Sequence, residues 1–272
     1  MSSLDDLVAN VAASKKYKSV CTDTVYRIGA LELSAHSGSI KAASKATKQR
    51  LHQIYGAFER QADYGQANDW LRSAFQGDSA YEIEAACRRI LSWHSSTRER
   101  LPFLDHFYSE IFRLTGQPHS VLDLGCGLNP LALPWMGLDT SCGYVALDID
   151  HARIRFINAF LSRAGREPLA RCQDILTGPP DDCADLALML KMSPSLERQE
   201  SGSTLRLLDN LKVRYAVVSF SVKSLGGREK GMRAHYRRQF FDWTEGRHWS
   251  VAERLFENEM VFVVGTGVGS EV

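Results

Sequence analysis

The feature that most constrains the fold is a short apolar strand that runs directly into a glycine turn, at residues 120–127 (Ser-Val-Leu-Asp-Leu-Gly-Cys-Gly). Glycine lets a backbone turn tightly and approach a ligand closely, and open α/β sheets bind ligands at the carboxyl ends of their strands. The dinucleotide fingerprint needs a third glycine or alanine three residues after the second glycine, where this chain has Pro130. The turn therefore predicts a ligand site in an α/β fold, but not the pyrophosphate-binding version.

Further apolar runs follow the glycine turn, separated by segments that are long enough to hold a helix each. They lie at residues 143–147, 185–190, 215–220 and 260–264. Strands that alternate with helices predict a parallel-rich sheet covered on both faces. We therefore predict an α/β domain at residues 116–272. Residues 1–115 show apolar spacings of three and four, which predict a helical extension in front of that domain.

The composition argues against a membrane or secreted protein. No run of eighteen apolar residues is present, and the first residues lack the basic-then-apolar pattern of a secretory signal. The six cysteines are scattered without a Cys-x-x-Cys pair or a histidine at metal spacing, so we expect free thiols and no metal. A cytoplasmic protein with no membrane contact is the resulting prediction.

The formal net charge of +1 conceals two strongly basic segments. Residues 14–50 contain eight Lys or Arg against two Asp or Glu, and residues 223–238 contain six against one, so the remainder carries net −10. Clustered cations gain affinity for a polyanion by displacing phosphate counterions, whereas either segment alone could be an ordinary solvated helix face. Together they favour a nucleic-acid partner. Our candidate rRNA-binding residues in the first segment are Lys15, Lys16, Lys45, Lys48 and Arg50.

Acidic residues at three strand ends sharpen the interpretation of the glycine turn. Asp123 stands two residues before the first glycine, and Asp148 ends the next strand 25 positions later, where an acid accepts hydrogen bonds from ribose hydroxyls. Gln173 and Asp174 follow the expected third strand. The order and spacing resemble class I S-adenosylmethionine methyltransferases, which have a Rossmann-like fold and hold the adenine near this third position.

The segment after the fourth strand bears on the methyl acceptor. Amino-directed enzymes carry an Asp/Asn-Pro-Pro-aromatic loop there, and C5 pyrimidine enzymes carry a Pro-Cys nucleophile. Residues 191–194 read Lys-Met-Ser-Pro and match neither pattern. A purine ring nitrogen already has a lone pair, so it needs positioning in line with the sulfonium methyl rather than a strong base. The missing groups fit such an acceptor.

Several blocks together resemble one family, the aminoglycoside-resistance 16S rRNA methyltransferases. The blocks are residues 13–17 (Ala-Ser-Lys-Lys-Tyr), 50–52 (Arg-Leu-His), 94–100 (His-Ser-Ser-Thr-Arg-Glu-Arg), 124–133 (Leu-Gly-Cys-Gly-Leu-Asn-Pro-Leu-Ala-Leu), 196–198 (Leu-Glu-Arg) and 224–232 (Ser-Leu-Gly-Gly-Arg-Glu-Lys-Gly-Met). The resemblance implies methylation of N7 of the decoding-site guanine, number 1405 in standard rRNA numbering, in the 30S subunit. It also implies S-adenosylmethionine as the cofactor, with S-adenosylhomocysteine as its product, and resistance to aminoglycosides.

The same resemblance assigns candidate site residues. The cofactor pocket falls on Phe58, His94, Ser95, Ser96, Arg100, Gly125, Asp148, Gln173, Asp174 and Leu190. Arg100 suits a methionine carboxylate, because a guanidinium pairs with a carboxylate through two hydrogen bonds. Positioning of the target guanine falls on Lys191, Lys223, Arg228 and Met232, with no residue acting as base or nucleophile. Lys223 and Glu229 depart from the family's usual arginine and glycine.

Two other functions remain open on sequence alone. A class I methyltransferase acting on a small molecule would explain the glycine turn, but not the two basic segments. A ribosome- or RNA-binding protein without catalysis would be expected to lose the acids at the strand ends, and all three are present. We expect a monomer that acts on 16S rRNA.

Overall fold

The computed structural model describes residues 2–56, 62–222 and 231–268. Its helices are α1 (Ser3–Ala12), α2 (Thr22–Ala35), α3 (Ile40–Leu51), α4 (Tyr64–Gln76), α5 (Ala80–Leu91), α6 (Ser95–Arg100), α7 (Leu104–Thr115), α8 (Leu133–Met136), α9 (His151–Arg163), α10 (Ser193–Gln199), α11 (Ser203–Asn210) and α12 (Met232–Thr244). Its strands are β1 (Ser120–Leu124), β2 (Gly143–Asp148), β3 (Ala170–Cys172), β4 (Cys183–Leu190), β5 (Lys212–Ser221), β6 (Ser250–Leu255) and β7 (Glu259–Gly265).

The seven strands form one sheet in the order β3-β2-β1-β4-β5-β7-β6. The first five strands of that order are parallel, and β7 runs antiparallel to both of its neighbours. The predicted strands and the predicted α/β fold are confirmed. Strand β6 was not predicted, because its partly exposed sequence Ser-Val-Ala-Glu-Arg-Leu contains no apolar run.

Alternation along the strands gives the sheet two apolar faces. Val121 packs in a core with helices α4, α5, α7 and α9, whereas the next residue, Leu122, packs in a second core with α10, α11 and α12. Helices therefore cover both faces. The carboxyl ends of β1 to β4 are left at one edge of the sheet, where the loops gather.

The N-terminal helices divide into two groups by what they pack against. Helices α1, α2 and α3 have a core of their own, built around Leu7, Val11, Ile28 and Leu51. Helices α4, α5 and α7 instead share the core of the sheet. Among the described helices, the first three thus form a separately packed unit, which we call the N-terminal unit (residues 3–56, including the π-helical turn His52–Gly56).

Short contacts join the N-terminal unit to the end of β2. The backbone N–H of Cys21 donates to the carbonyl of Ile149 at 2.6 Å, and that of His151 donates to the carbonyl of Ser19 at 2.8 Å. The hydroxyl of Tyr55, in the π-helical turn, donates to Asp150 Oδ2 at 2.5 Å. Because β2 ends at the ligand edge of the sheet, these contacts bring the N-terminal unit to that edge.

All six cysteines are free, as the sequence predicts. Within the described ranges, no group of His, Cys, Asp or Glu has metal-binding geometry. In the same ranges, none of the helices has the length and apolarity that crossing a membrane requires.

Candidate active site

The glycine turn after β1 exposes its backbone toward a cavity. Gly125 and Gly127 have φ angles of +55° and +54°, a left-handed conformation that is strained for residues with a Cβ. A Cβ on Gly127 would lie 3.3 Å from the His94 ring, and one on Gly125 would lie 3.2 Å from Met192 Cε. Both positions therefore favour glycine for its conformation, and a Cβ would also crowd the His94 ring at Gly127.

Asp123 lies behind the turn and is almost fully buried. Its Oδ2 accepts from Asn129 Nδ2 at 3.0 Å and from the Tyr144 hydroxyl at 2.7 Å. Burial raises the pKa of Asp123 to about 6, although both hydrogen bonds oppose the rise. Asp123 thus links Asn129, which follows the turn, to Tyr144 on β2, and it also lines the cavity.

Asp148, at the end of β2, sits on the cavity wall within a set of donors. Its Oδ1 accepts from Arg153 Nη1 at 2.7 Å and from the backbone of Asp150 at 3.1 Å, and its Oδ2 accepts from the Gly127 N–H at 2.9 Å. A carboxylate has about four acceptor positions, so these described contacts leave one. Arg153 is the residue here that sequence reasoning missed.

Asp174, which follows β3, is also held by the protein. Its Oδ2 accepts from Arg27 Nε at 2.9 Å and its Oδ1 from the backbone N–H of Leu176 at 3.0 Å. Arg27 belongs to α2 of the N-terminal unit, 147 residues away in sequence. No local pattern could have predicted this contact.

Arg100 is buried with only 1% of its side chain exposed. Its Nε and Nη2 donate to the two carboxylate oxygens of Glu259 at 3.2 and 2.7 Å, and its Nη1 donates to Asn129 Oδ1 at 3.0 Å. These bonds use three of the five guanidinium N–H groups, and the Tyr108 hydroxyl also contacts the guanidinium. Glu259, the first residue of β7, is a site residue that the sequence analysis missed.

Lys191, directly after β4, adopts a left-handed backbone conformation with φ of +58°. Its backbone N–H donates to the Ser219 carbonyl at 3.1 Å. Its ammonium lies 2.9 Å from Glu99 Oε2 and 3.3 Å from Glu259 Oε2, with 7% of the side chain exposed. Lys191 therefore closes a charged network that runs from Glu99 through Glu259 to Arg100.

His94 lies over the glycine turn at the start of α6, with its ring against Gly127. Burial, together with the positive charges of Arg153 and Arg100, lowers the pKa of His94 to about 3. The imidazole is therefore neutral at physiological pH.

Of these groups, all but the buried Glu259 line one cavity of about 730 Å³ at the carboxyl edge of the sheet. The predicted site residues that line it are His94, Ser95, Ser96, Arg100, Gly125, Asp148, Gln173, Asp174, Leu190, Lys191 and Met232. Phe58, Lys223 and Arg228 lie outside the described residues. Part of the cavity wall comes from the N-terminal unit, which contributes Thr24, Arg27, Gln53, Ile54 and Tyr55.

The predicted rRNA-binding residues fall into two groups. Lys16, Lys45 and Lys48 line a groove between α1 and α3, which we call the basic groove; Lys41 lines it as well. Lys15 is exposed but does not line the groove. Arg50 forms an ion pair with Glu32, which is buried on α2, so part of its charge neutralises the interior of the N-terminal unit.

The cavity suits a ligand with an amino-acid end, a ribose and a base. A buried guanidinium on the cavity wall, glycine backbone at the turn and a carboxylate with one open acceptor position are donors and acceptors that suit such a ligand. Together with the sheet order and the antiparallel β7, they define the chain as an S-adenosylmethionine-dependent methyltransferase of class I.

Comparison with known proteins identifies the family. Residues 13–263 match the family model of the FmrO ribosomal RNA methyltransferases. The chain is 40% identical to the 16S rRNA (guanine(1405)-N(7))-methyltransferase of Micromonospora echinospora, over 96% of both chains. It is 39% identical to the protein of that name from Serratia marcescens, over 89% of each. The chain belongs to this family of ribosomal RNA methyltransferases, which confirms the prediction from the sequence blocks.

A solved structure supports the same conclusion at the level of the fold. The crystal structure of the 16S rRNA methyltransferase RmtF, in complex with S-adenosyl-L-homocysteine, is 34% identical in sequence. It superposes with a TM-score of 0.83 and covers 98% of this chain and 99% of its own.

Proposed function

We propose that this chain transfers a methyl group from S-adenosylmethionine to N7 of guanine 1405 of 16S rRNA within the 30S subunit. The observation that carries the proposal is the state of the ionisable groups around the cavity. Among the described residues, the carboxylates there are paired with cations or hydrogen-bond donors, and His94 is a weak base with a pKa of about 3. Guanine N7 carries no proton that has to be removed, so a cavity without a general base among its described residues suits this acceptor.

Cys126 is the one thiol on the described wall of the cavity, and it does not suit the alternative of a cysteine nucleophile. Burial raises the pKa of Cys126 well above its ordinary value. Since the thiolate is the reactive form, the thiol stays protonated and inert. A C5 pyrimidine acceptor, which requires covalent attack by cysteine, is therefore disfavoured.

When bound, S-adenosylmethionine would supply a methyl group on a positively charged sulfur. The N7 lone pair would form the new N–CH3 bond as the S–CH3 bond breaks, and neutral S-adenosylhomocysteine would be the leaving group. The protein contributes binding and orientation. Arg100 is suited to the amino-acid carboxylate, Asp148 to a ribose hydroxyl and Asp174 to the adenine amine. Lys191 and Met232, which line the cavity, are our candidates for positioning the guanine.

Docking on the ribosome is assigned to the basic groove and to the second basic segment. The groove presents the ammonium groups of Lys16, Lys41, Lys45 and Lys48 from one face of the N-terminal unit. Such a surface gains affinity for RNA phosphates by releasing counterions. We propose residues 1–115 as the part of the chain that binds the 30S subunit. We also propose that the protein acts as a monomer in the cytoplasm.

Guanine N7 in an RNA helix lies in a deep, narrow groove, so the nucleotide has to leave its stack to react.

Methyl-transfer assays test the proposal with two substrates, intact 30S subunits and naked 16S rRNA, and with a control that contains no RNA. We expect label in 16S rRNA from 30S subunits. N7 methylation makes the ring positive and its glycosidic bond labile, so borohydride and aniline should cut the rRNA at one guanine in the decoding region. Cells that express the enzyme should resist gentamicin and kanamycin. A methyl group on an adenine or an exocyclic amine, or turnover without RNA, would contradict the proposal.

A further inference from the structure

The side chain of Arg27 connects three parts of the molecule at one end of the cavity. It projects from α2 of the N-terminal unit, with 17% of its surface exposed. Its Nε donates to Asp174 Oδ2 at 2.9 Å, and its Nη2 donates to Gln199 Oε1, on α10, at 2.8 Å. Arg27, Asp174 and Gln199 all line the cavity. An ion pair that merely joined two packed units would not need to face a ligand site.

The contact fixes the direction of the Asp174 carboxylate. Arg27 holds one oxygen, and the backbone N–H of Leu176 holds the other at 3.0 Å. Two anchors on different oxygens leave the carboxylate little freedom to rotate, and each oxygen keeps a second lone pair that these two contacts do not use. Removal of Arg27 would free one oxygen and leave the Asp174 charge without its partner.

We propose that Arg27 is a positioning residue that aims Asp174 at the exocyclic amine of the cofactor's adenine. The N-terminal unit, which carries the basic groove, thereby also completes the cofactor site. The inference rests on the proposed role of Asp174 and extends it to a residue from the far end of the chain.

The test measures binding of S-adenosylhomocysteine and of its inosine analogue by calorimetry, in the full-length protein. The analogue carries a carbonyl oxygen in place of the adenine amine, so it reports on the contact with Asp174. The parent should prefer S-adenosylhomocysteine. Arg27→Met should weaken binding of that ligand by about tenfold, the order expected for one hydrogen bond to a charged group, and should bind the analogue almost as the parent does. Arg27→Lys should recover part of the preference, because it restores the charge without the two-pronged geometry.

Arg247→Met is the matched control. Arg247 also bridges distant elements through an ion pair, to Asp209 at 2.9 Å, and does not line the cavity. The Arg247→Met variant should bind both ligands with the affinities of the parent. Thermal unfolding of each variant checks that the variant is folded. In an Asp174→Asn background, Arg27→Met should cause little further loss of affinity.

Three results would overturn the inference. They are an unchanged affinity in Arg27→Met, an equal loss for both ligands, or a full additional loss in the Asp174→Asn background. The 30S methylation assay is read on the parent protein, so a failure of the proposed function is distinguished from a failure of this inference.

Discussion

At the scale of single residues, the ionisable groups of the cavity are set by their neighbours rather than by their types. Asp148 is held by Arg153, Asp174 by Arg27 and Glu259 by Arg100. The sequence predicted two of these three acids through strand-end spacing, but none of the arginine partners except Arg100. Spacing along a strand is local information, whereas a buried charge takes its partner from wherever the fold brings one.

The depressed pKa of His94 predicts acid sensitivity of the fold. An unfolded histidine titrates near 6.5, so His94 favours folding fully above that pH, and its contribution is lost as the pH falls toward 3. The free energy of unfolding of the parent minus that of His94→Gln should therefore be about 2 kcal/mol smaller at pH 5 than at pH 7.5. Urea unfolding at both pH values measures the difference. The exposed His248→Gln should show no such change, and a pH-independent difference for His94→Gln would be the contrary result.

The position of Asp148 predicts a loss of cofactor affinity on its removal. Asp148→Ala deletes an acceptor for a ribose hydroxyl and also removes the carboxylate that Arg153 Nη1 contacts at 2.7 Å. We expect binding of S-adenosylhomocysteine to weaken by about 1–3 kcal/mol, measured by calorimetry. Asp182→Ala, which removes the partner of Arg171 outside the cavity, is the control. Unchanged affinity in Asp148→Ala would refute the assignment of this wall to the ribose.

At the scale of elements, strand β7 does more than complete the sheet. Its antiparallel pairing with β5 brings Glu259 beside Ser219, whose hydroxyl donates to Glu259 Oε1 at 2.6 Å. Burial opposes a charge on Glu259, but Arg100 and Lys191 outweigh it and hold the pKa of the carboxyl below its ordinary value. The last strand in sequence thus supplies the anion beneath the candidate cofactor and target sites.

Removal of that anion should destabilise the fold strongly. Glu259→Gln keeps the shape of the side chain but leaves two buried cations with too little negative charge, at a cost of about 3–5 kcal/mol. Glu253→Gln, on β6, breaks the exposed pair with Arg237 and should cost less than about 1 kcal/mol. Guanidinium unfolding compares the two variants. Equal costs would mean that the buried network contributes no more than a surface pair.

The sequence predicted the elements of this site better than the contacts between them. Each strand with a continuous apolar run was predicted, because burial on both faces leaves a clear pattern, and the glycine turn located the ligand edge. Glu259 and Arg27 were missed because their partners are 159 and 147 residues away. The division of the N-terminal helices was also hidden, since the apolar stripes of α1 and α5 look alike whichever core they join.

At the scale of the whole molecule, the N-terminal unit has two sides with different chemistry. One side carries the basic groove, and the other contributes Arg27 and Tyr55 to the cavity. No residue of the N-terminal unit that lines the groove lines the cavity as well, except Gln53. Charge changes in the groove should therefore separate docking from cofactor binding.

Reversal of the three predicted lysines of the groove tests whether it docks on the ribosome. The triple variant Lys16→Glu, Lys45→Glu, Lys48→Glu should bind 30S subunits much more weakly than the parent. Each phosphate contact that is lost should lower the slope of log affinity against log salt by about 0.7–0.9, so the slope should fall by about 2–3. Filter binding at several salt concentrations measures both quantities. By calorimetry, the triple variant should bind S-adenosylhomocysteine with the same affinity as the parent, because none of the three lysines lines the cavity.

A control with the same change in net charge separates local contacts from long-range attraction. Arg113, Arg206 and Lys212 are exposed cations outside the groove, so their reversal to glutamate subtracts the same charge from a different surface. If the groove touches rRNA phosphates, the control variant should keep most of the parent's salt slope and lose affinity only modestly, since solvent ions screen charges beyond about 10 Å. If the two triple variants weaken binding equally, net charge alone steers the protein to the ribosome. If the groove variant binds like the parent, the lysines form a solvated face and docking belongs elsewhere on the chain.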